Sequence, residues 1–240
     1  MSNKVIEVEN LTRAFGNFKA VDNITFDVKR GEIFGFLGAN GAGKTTAMKM
    51  LTGILEPTSG SGKVAGFDIK TQRNKLKYKI SYMSQKFSLY EDLTLKENIR
   101  FYGGIYGLRR KEIVERTEKM VARLGLGNIE DTLIAEIPLG WKQKIAFSVA
   151  TLHKPDIVFL DEPTSGVDPI TRRQFWDLIY QAAEEGITVF VTTHYMDEAE
   201  YCDRISMMVR GKIEAMGTLD ELLTKHDAKD MDEVFLKLAR

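Results

Sequence analysis

Gly38-Ala39-Asn40-Gly41-Ala42-Gly43-Lys44-Thr45-Thr46 is the stretch that decides the fold. It satisfies the template G-x-x-x-x-G-K-[ST] at every fixed position. Glycines let a backbone curl until successive N–H groups point inward, toward phosphate oxygens. Lys44 supplies a cation that can reach the outer phosphates, and the Thr45 hydroxyl can ligate Mg²⁺. Ile33-Phe34-Gly35-Phe36-Leu37 before the loop reads as a buried strand. Thr46-Ala47-Met48-Lys49-Met50-Leu51 after it reads as a helix, opening at Lys44 with its positive dipole end toward the same anion. An ordinary glycine-rich turn is the other reading, and this strand–loop–helix setting argues against it.

Two further apolar runs end in chemistry. Ile157-Val158-Phe159-Leu160 is followed by Asp161 and Glu162. Carboxylates at the carboxyl end of such a strand lie where ligands bind in α/β sheets. Asp161 is suited to hold Mg²⁺ through water, and Glu162 to polarise an attacking water as general base. A strand that merely happens to end in acidic residues is the bland alternative. The run 187–191 leads through Thr192 and Thr193 to His194, which can hydrogen-bond a terminal phosphate and sense its presence. His153 and His226 have no such setting and read as structural.

The helical segment 170–185 joins these two strands, so the order is βαβ and the sheet is parallel and covered on both faces. Residues 4–30 carry short β-rich runs at 5–8 and 24–28, separated by turn signals. Residues 53–70 read as turns around short strands. Segments 94–106 and 111–124 show helical spacing. The expected fold is therefore α/β: a phosphate-loop ATPase core, an N-terminal antiparallel β region and a helical insertion. The core is expected over 1–86 and 153–240, the helical part over 87–152.

Composition narrows the class. Of 240 residues, 43% are apolar, enough for a large core. The 34 basic and 34 acidic residues balance, whereas a nucleic-acid binder carries a basic excess. No apolar run approaches the ~20 residues that span a bilayer, and the N-terminus lacks the apolar centre of a secretory signal. Cys202 is the sole cysteine, which excludes an internal disulfide and reads as a packing residue. The expectation is a soluble, cytosolic protein.

With these motifs in this order, the whole chain resembles the ATP-binding cassette (ABC) ATPases. The resemblance implies ATP and Mg²⁺ as cofactors and a dimer of ATP-binding domains, homo- or heterodimeric. It also implies a polytopic membrane permease as partner, no nucleic acid, and a place on the inner face of the cell membrane. It makes Glu162, His194, Gln85 and Lys44 the catalytic set. The nucleotide-binding set becomes Phe15, Gly38, Asn40, Gly41, Ala42, Gly43, Lys44, Thr45, Thr46 and Gly140, and Thr45, Gln85 and Asp161 form the metal set. Gln85 falls where the family's Q-loop touches Mg²⁺ and answers to the membrane partner, and Ser165-Gly166-Val167-Asp168 resembles its D-loop. Phe15 falls where the family sets an aromatic ring under adenine; a plain core role is the alternative. The stretches 85–94 and 193–200 resemble ATP-binding subunits of bacterial drug exporters of the daunorubicin-resistance type.

One stretch departs from the family. Its signature, Leu-Ser-Gly-Gly-x-x-Gln, is matched by Ile137-Pro138-Leu139-Gly140-Trp141-Lys142-Gln143. Pro138 stands for the serine whose hydroxyl meets the opposite subunit's ATP, and Leu139 stands for a glycine. Gly140 and the dipole of the helix over 141–153 remain available. Two functions follow: an ATPase that powers export of a drug-like or lipophilic substrate through a separate membrane subunit, or a regulatory module that binds ATP and turns it over little. A chromosome-associated or DNA-repair ATPase of this family needs long coiled coils between Gln85 and the signature, and only about fifty residues lie there.

Overall fold

The computed structural model describes residues 3–85, 89–127 and 129–239. Strands β1 (Lys4–Phe15) and β2 (Phe18–Lys29) pair antiparallel as a hairpin. Each is longer than its β-rich run, because cross-strand pairing carries polar stretches from Lys4 opposite Lys29 to Phe15 opposite Phe18. Strand β3 (Ile33–Leu37) feeds the phosphate loop and helix α1 (Lys44–Leu51). Strands β4 (Ser59–Val64) and β5 (Phe67–Asp68) complete an antiparallel sheet of order β2-β1-β4-β5. This is the expected N-terminal β region.

After α2 (Arg73–Leu76) and β6 (Ile80–Met83) come three helices: α3 (Leu95–Ile105), α4 (Arg110–Leu124) and α5 (Leu139–Thr151). Thr94 starts α3 with a reciprocal capping box to Glu97, which satisfies N–H groups that would otherwise lack partners. Next are β7 (Ile157–Asp161), α6 (Pro169–Glu184), β8 (Thr188–Thr193), β9 (Arg204–Val209), β10 (Lys212–Gly217), α7 (Leu219–Lys225) and α8 (Met231–Leu238). The second sheet runs β10-β9-β3-β8-β7-β6. Its strands are parallel except β10, which is antiparallel to β9.

Burial on both faces explains why the sequence of these strands is apolar without alternation. Ile157 and Phe159 face the antiparallel sheet, whereas Val158 and Leu160 face the helices α3 to α6. Between the sheets Phe26, Phe34, Phe36, Phe159 and Phe190 pack ring on ring, with Phe36 and Phe190 5.3 Å apart and Phe26 stacked on Phe34 at 5.7 Å. Each such buried ring contributes about 1.5–3 kcal/mol. Cys202 packs instead against the helix-side core and the core that holds Leu37, Met196 and Met207, and so takes the packing role expected of it.

Register then fixes the chemistry. Leu37 pairs with Thr193, and Asp161 with Thr192. The phosphate loop, Asp161-Glu162 and His194 therefore all leave the sheet at one edge, the carboxyl end of three adjacent strands.

Candidate active site

Two glycines of the loop are dictated by space. Gly43 has φ +108°, and a Cβ there would come 2.2 Å from the Ala20 carbonyl oxygen. Gly38 has φ +157°, and a Cβ would meet the Met208 carbonyl oxygen at 2.3 Å. Only glycine fits either position, so the loop is held tight between β2 and β9.

Lys44 is buried. Its ammonium donates to the Gly38 carbonyl at 2.7 Å and the Ala39 carbonyl at 3.2 Å, and lies 3.3 Å from Glu162 Oε1. Burial pushes its pKa down, and the Glu162 carboxylate opposes that shift. The lysine is thus a desolvated cation with a carboxylate beside it, which suits it to an anionic ligand.

Glu162 is the centre of the site. Its backbone is left-handed, φ 49°, at the sharp exit from β7. Such a conformation costs on the order of 1–3 kcal/mol and must be held. Here the Glu162 N–H donates to the Thr192 carbonyl at 3.0 Å and the Thr192 hydroxyl at 3.2 Å. The side chain then receives Gln85 Nε2 at 3.2 Å and lies 3.0 Å from His194 Nδ1, both on Oε2. Lys44, Gln85 and His194 so converge on one carboxylate.

Asp161 stands beside it. The Thr45 hydroxyl donates to Asp161 Oδ1 at 3.1 Å and the Thr192 hydroxyl at 2.7 Å; Tyr82 donates to Oδ2 at 3.3 Å. Burial first, and the adjacent carboxylate second, push the Tyr82 phenol up, so it stays a neutral donor. A hydroxyl and a carboxylate oxygen side by side form the hard-oxygen donor set that Mg²⁺ takes, usually with waters retained.

The open cleft over the loop, of about 380 Å³, is lined by Phe18, Ala20, Asn40, Gly41, Gly43, Lys44, Thr45, Thr46, Gln85 and Glu162. Most of the expected set is gathered here. Gly38 and Ala42 do not line it. Gly38 donates its N–H to Thr193, and Ala42 donates to Ala39, so both build the loop from behind. Phe15 does not line it either; its hairpin partner Phe18 does. Phe15 is 49% exposed, which removes the core alternative, and the Arg13 guanidinium lies 4.6 Å over its ring.

Gly140 is outside the cleft, in the first turn of α5. A Cβ there would meet Thr171 of α6 at 2.7 Å, so close helix packing is reason enough for this glycine. Pro138 caps α5 without any side-chain hydrogen bond, and Leu139 is exposed. Asp168 of the D-loop-like stretch caps α6, accepting from the N–H groups of Ile170 and Thr171 at 3.0 Å each. Leu89 is core, whereas Tyr90 is exposed; Lys86, Phe87 and Ser88 lie outside the described residues.

Sequence reasoning missed Phe18, Tyr82 and Thr192. Thr192 stands inside a quoted motif, but its role needs the pairing of β7 with β8. Tyr82 acts from β6, a four-residue strand with too little length to announce itself.

The chain matches the model of the ABC transporter family over residues 21–165. It belongs to that family and is an ATPase of the ATP-binding cassette class. It is 51% identical over 240 residues to the probable multidrug ABC transporter ATP-binding protein YbhF of Escherichia coli, covering 98% of this chain and 41% of that protein. It thus spans about two fifths of that relative's length. It is 34% identical to the daunorubicin/doxorubicin resistance ATP-binding protein DrrA of Streptomyces peucetius, over 96% of this chain and 73% of that one. A solved ATP-binding subunit of an ABC transporter superposes with TM-score 0.89 at 28% identity, covering 98% and 100% of the two chains. The drug-exporter likeness read from residues 85–94 and 193–200 agrees with both named relatives.

The loop fits ATP: Gly38 and Gly43 let it curl against the β9 and β2 carbonyl oxygens where no side chain has room, and Lys44 offers the cation. Among the described residues no helix is long and apolar enough to cross a membrane.

Proposed function

We propose that this chain hydrolyses Mg-ATP at the interface of two ATP-binding domains and powers a separate polytopic membrane permease on the inner face of the membrane. The transported substrate is drug-like or lipophilic, a reading supported by the named relatives. The convergence of Lys44, Gln85 and His194 on the Glu162 carboxylate is the observation that carries the hydrolytic part. Glu162 is the general base for the attacking water. Thr45 and Asp161 would hold Mg²⁺, which neutralises phosphate charge, with Gln85 beside them. Lys44 binds the outer phosphates, and His194 orients Glu162 and reads the terminal phosphate. Adenine stacks on Phe15, whose exposed face already carries the flat Arg13 guanidinium. The ATP core is 1–86 with 153–240, and 87–152 is the helical part that meets the permease. Regulatory binding with little turnover is the second reading, favoured by the uncapped Pro138 start of α5.

ATP turnover of the purified chain, parental against Glu162→Gln, tests the proposal. The amide keeps the shape and removes the base. The expected result is retained binding of a fluorescent ATP analogue with turnover reduced at least a hundredfold. A variant as fast as the parent removes Glu162 from the role of base. A parent that binds ATP tightly and does not turn it over establishes the regulatory reading.

A further inference from the structure

Glu198 is a carboxylate without any exposure to solvent, and neither ATP nor metal is assigned to it. It lies in the turn Met196–Tyr201, four residues after His194. Its Oε1 accepts from the Thr164 hydroxyl at 2.6 Å and from the Trp176 indole N–H at 3.4 Å. Thr164 is two residues after Glu162. The carboxylate therefore ties the segment leaving β7 to the segment leaving β8, with α6 supplying the third side through Trp176.

Arg172 of α6 closes the arrangement. Its Nη1 is 3.3 Å from Asp197 Oδ2, and its guanidinium lies 4.3 Å over the ring of Tyr195. The Tyr195 ring in turn lies 4.2 Å from the His194 ring. Arg172 Nε stands 3.9 Å from Glu198 Oε1, too far for a hydrogen bond. Arg172 Nε and Glu198 Oε2 are both buried without a hydrogen-bond partner. A buried carboxylate left half-satisfied is costly, so it persists only where the fold or its work requires it.

We propose that Glu198 is a positioning residue for hydrolysis, holding the Glu162 segment and the His194 turn in one register through Thr164. The inference rests on Glu162 and His194 acting as base and phosphate sensor. Those two groups leave separate strands, and their 3.0 Å contact is set by how the two exits are joined. Thr164–Glu198 is a direct side-chain bond between these exits. A misplacement of about an ångström at a general base costs rate and leaves substrate binding alone. The unused acceptor and donor, Oε2 and Arg172 Nε, leave room for the clasp to tighten as the site closes.

The test measures kcat and KM for Mg-ATP, affinity for a trinitrophenyl-ATP probe and thermal midpoint. The proteins are the parent, Glu162→Gln, Glu198→Met, Thr164→Val and Thr164→Ser. Methionine keeps the length of the side chain and offers the Thr164 hydroxyl no strong acceptor, whereas a glutamine carbonyl would still take the bond. Expected for Glu198→Met and Thr164→Val is a kcat lower by roughly tenfold or more, with KM and probe affinity within about twofold. Thr164→Ser restores the hydroxyl and turns over near the parental rate. The double variant Glu198→Met, Thr164→Val is no slower than the slower single, because each removes the same bond. Unchanged kcat in both single variants overturns the proposal. So does a loss of kcat matched by a raised KM and weakened probe affinity, or a serine variant as slow as the valine one. Should Glu198→Met fail to fold, the valine–serine pair decides alone. A Glu162→Gln protein at the parental rate removes the premise itself, which distinguishes failure of the base assignment from failure of the clasp.

Discussion

Phe15 and Phe18 face each other across the first hairpin, and which of them holds the base is a question of single residues. Phe18 lines the phosphate cleft, whereas Phe15 offers a half-exposed ring whose face already accepts a flat cation. Stacking a base on an aromatic ring is worth about 1–3 kcal/mol. Phe15→Ala is therefore expected to weaken ATP binding roughly tenfold, Phe15→Trp to leave it near parental, and Phe18→Ala to change it less than about threefold. Titration with ATP checks this, and the reverse order would move adenine to Phe18. His153 is a second residue with a readable consequence. It stacks on Tyr106 at 3.6 Å, and burial with the Arg116 charge pushes its pKa from 6.5 down to about 4. The folded state thus prefers the neutral ring. Its contribution is present above about pH 6.5 and is lost as pH falls toward 4, because the unfolded chain takes up the proton first. His153→Phe keeps the stacking and removes the titration. Between pH 7 and pH 4.5 the parent should lose about 1–2 kcal/mol more stability than the variant, with allowance for the partial exposure of the ring. That is roughly 2–8 °C more in thermal midpoint for a domain of this size. Equal losses would show that His153 does not govern the acid limb.

Helix α3 and the turn before it carry an exposed aromatic face. Tyr90 and Phe101 meet edge to face at 5.1 Å, Phe101 meets Tyr102 at 5.3 Å, and Tyr90, Phe101 and Ile105 are all exposed. Aromatic area left open, a few residues along the chain from the glutamine proposed to answer to nucleotide, suits a protein partner. With Cys202→Ser as background, Tyr90→Cys and Phe101→Cys are expected to crosslink to cytoplasmic loops of the permease, and Val114→Cys on α4 is not. Crosslinks from position 114 alone would move the docking face to α4. Elements also show what the sequence made visible. β3, β7 and β8 were legible because strands buried on both faces are uninterrupted apolar runs, each ending in a loop of distinctive chemistry. The βαβ order carried the parallel sheet. β6 was not legible at four residues, nor was β9, whose parallel partner β3 lies some 170 residues earlier. The short helices α7 and α8 escaped notice too, although both end up sealing a core with Met196 and Met207. At the site, Glu162, His194 and Lys44 stood in motifs. The Thr164–Glu198 bond joins residues 34 apart and has no local pattern to reveal it.

In the whole molecule Lys44, Gln85 and Glu162 line one cleft, Asp161 and His194 are bonded to residues of its lining, and an unusual helix start lies outside it. Gly140 is held against Thr171, whereas Pro138 and Leu139 are exposed on the surface of the single chain. In the proposed dimer they face a second ATP-binding domain. The structure allows a role there to be separated from folding. Pro138 makes no cap bond, so Pro138→Ser adds an N-cap acceptor for α5, a change that typically contributes about 1 kcal/mol. Leu139→Gly removes an exposed side chain and costs about 1 kcal/mol of helix propensity. The two nearly offset, so the double variant should melt within a few degrees of the parent. Serine returns a hydroxyl for the partner's terminal phosphate, and glycine allows closer backbone approach. The expected outcome is faster basal ATP turnover, by roughly ten- to a hundredfold if the hydroxyl acts only in the transition state. In the Glu162→Gln background, the same double change should raise the ATP-dependent dimer fraction on size-exclusion chromatography. A double variant that folds, binds ATP and turns over no faster than the parent would show that the Pro-Leu start is an alternative solution for the closed dimer. In that case the exposed Leu139 side chain becomes the contact to examine, and Leu139→Ala should weaken dimerisation that Leu139→Met preserves.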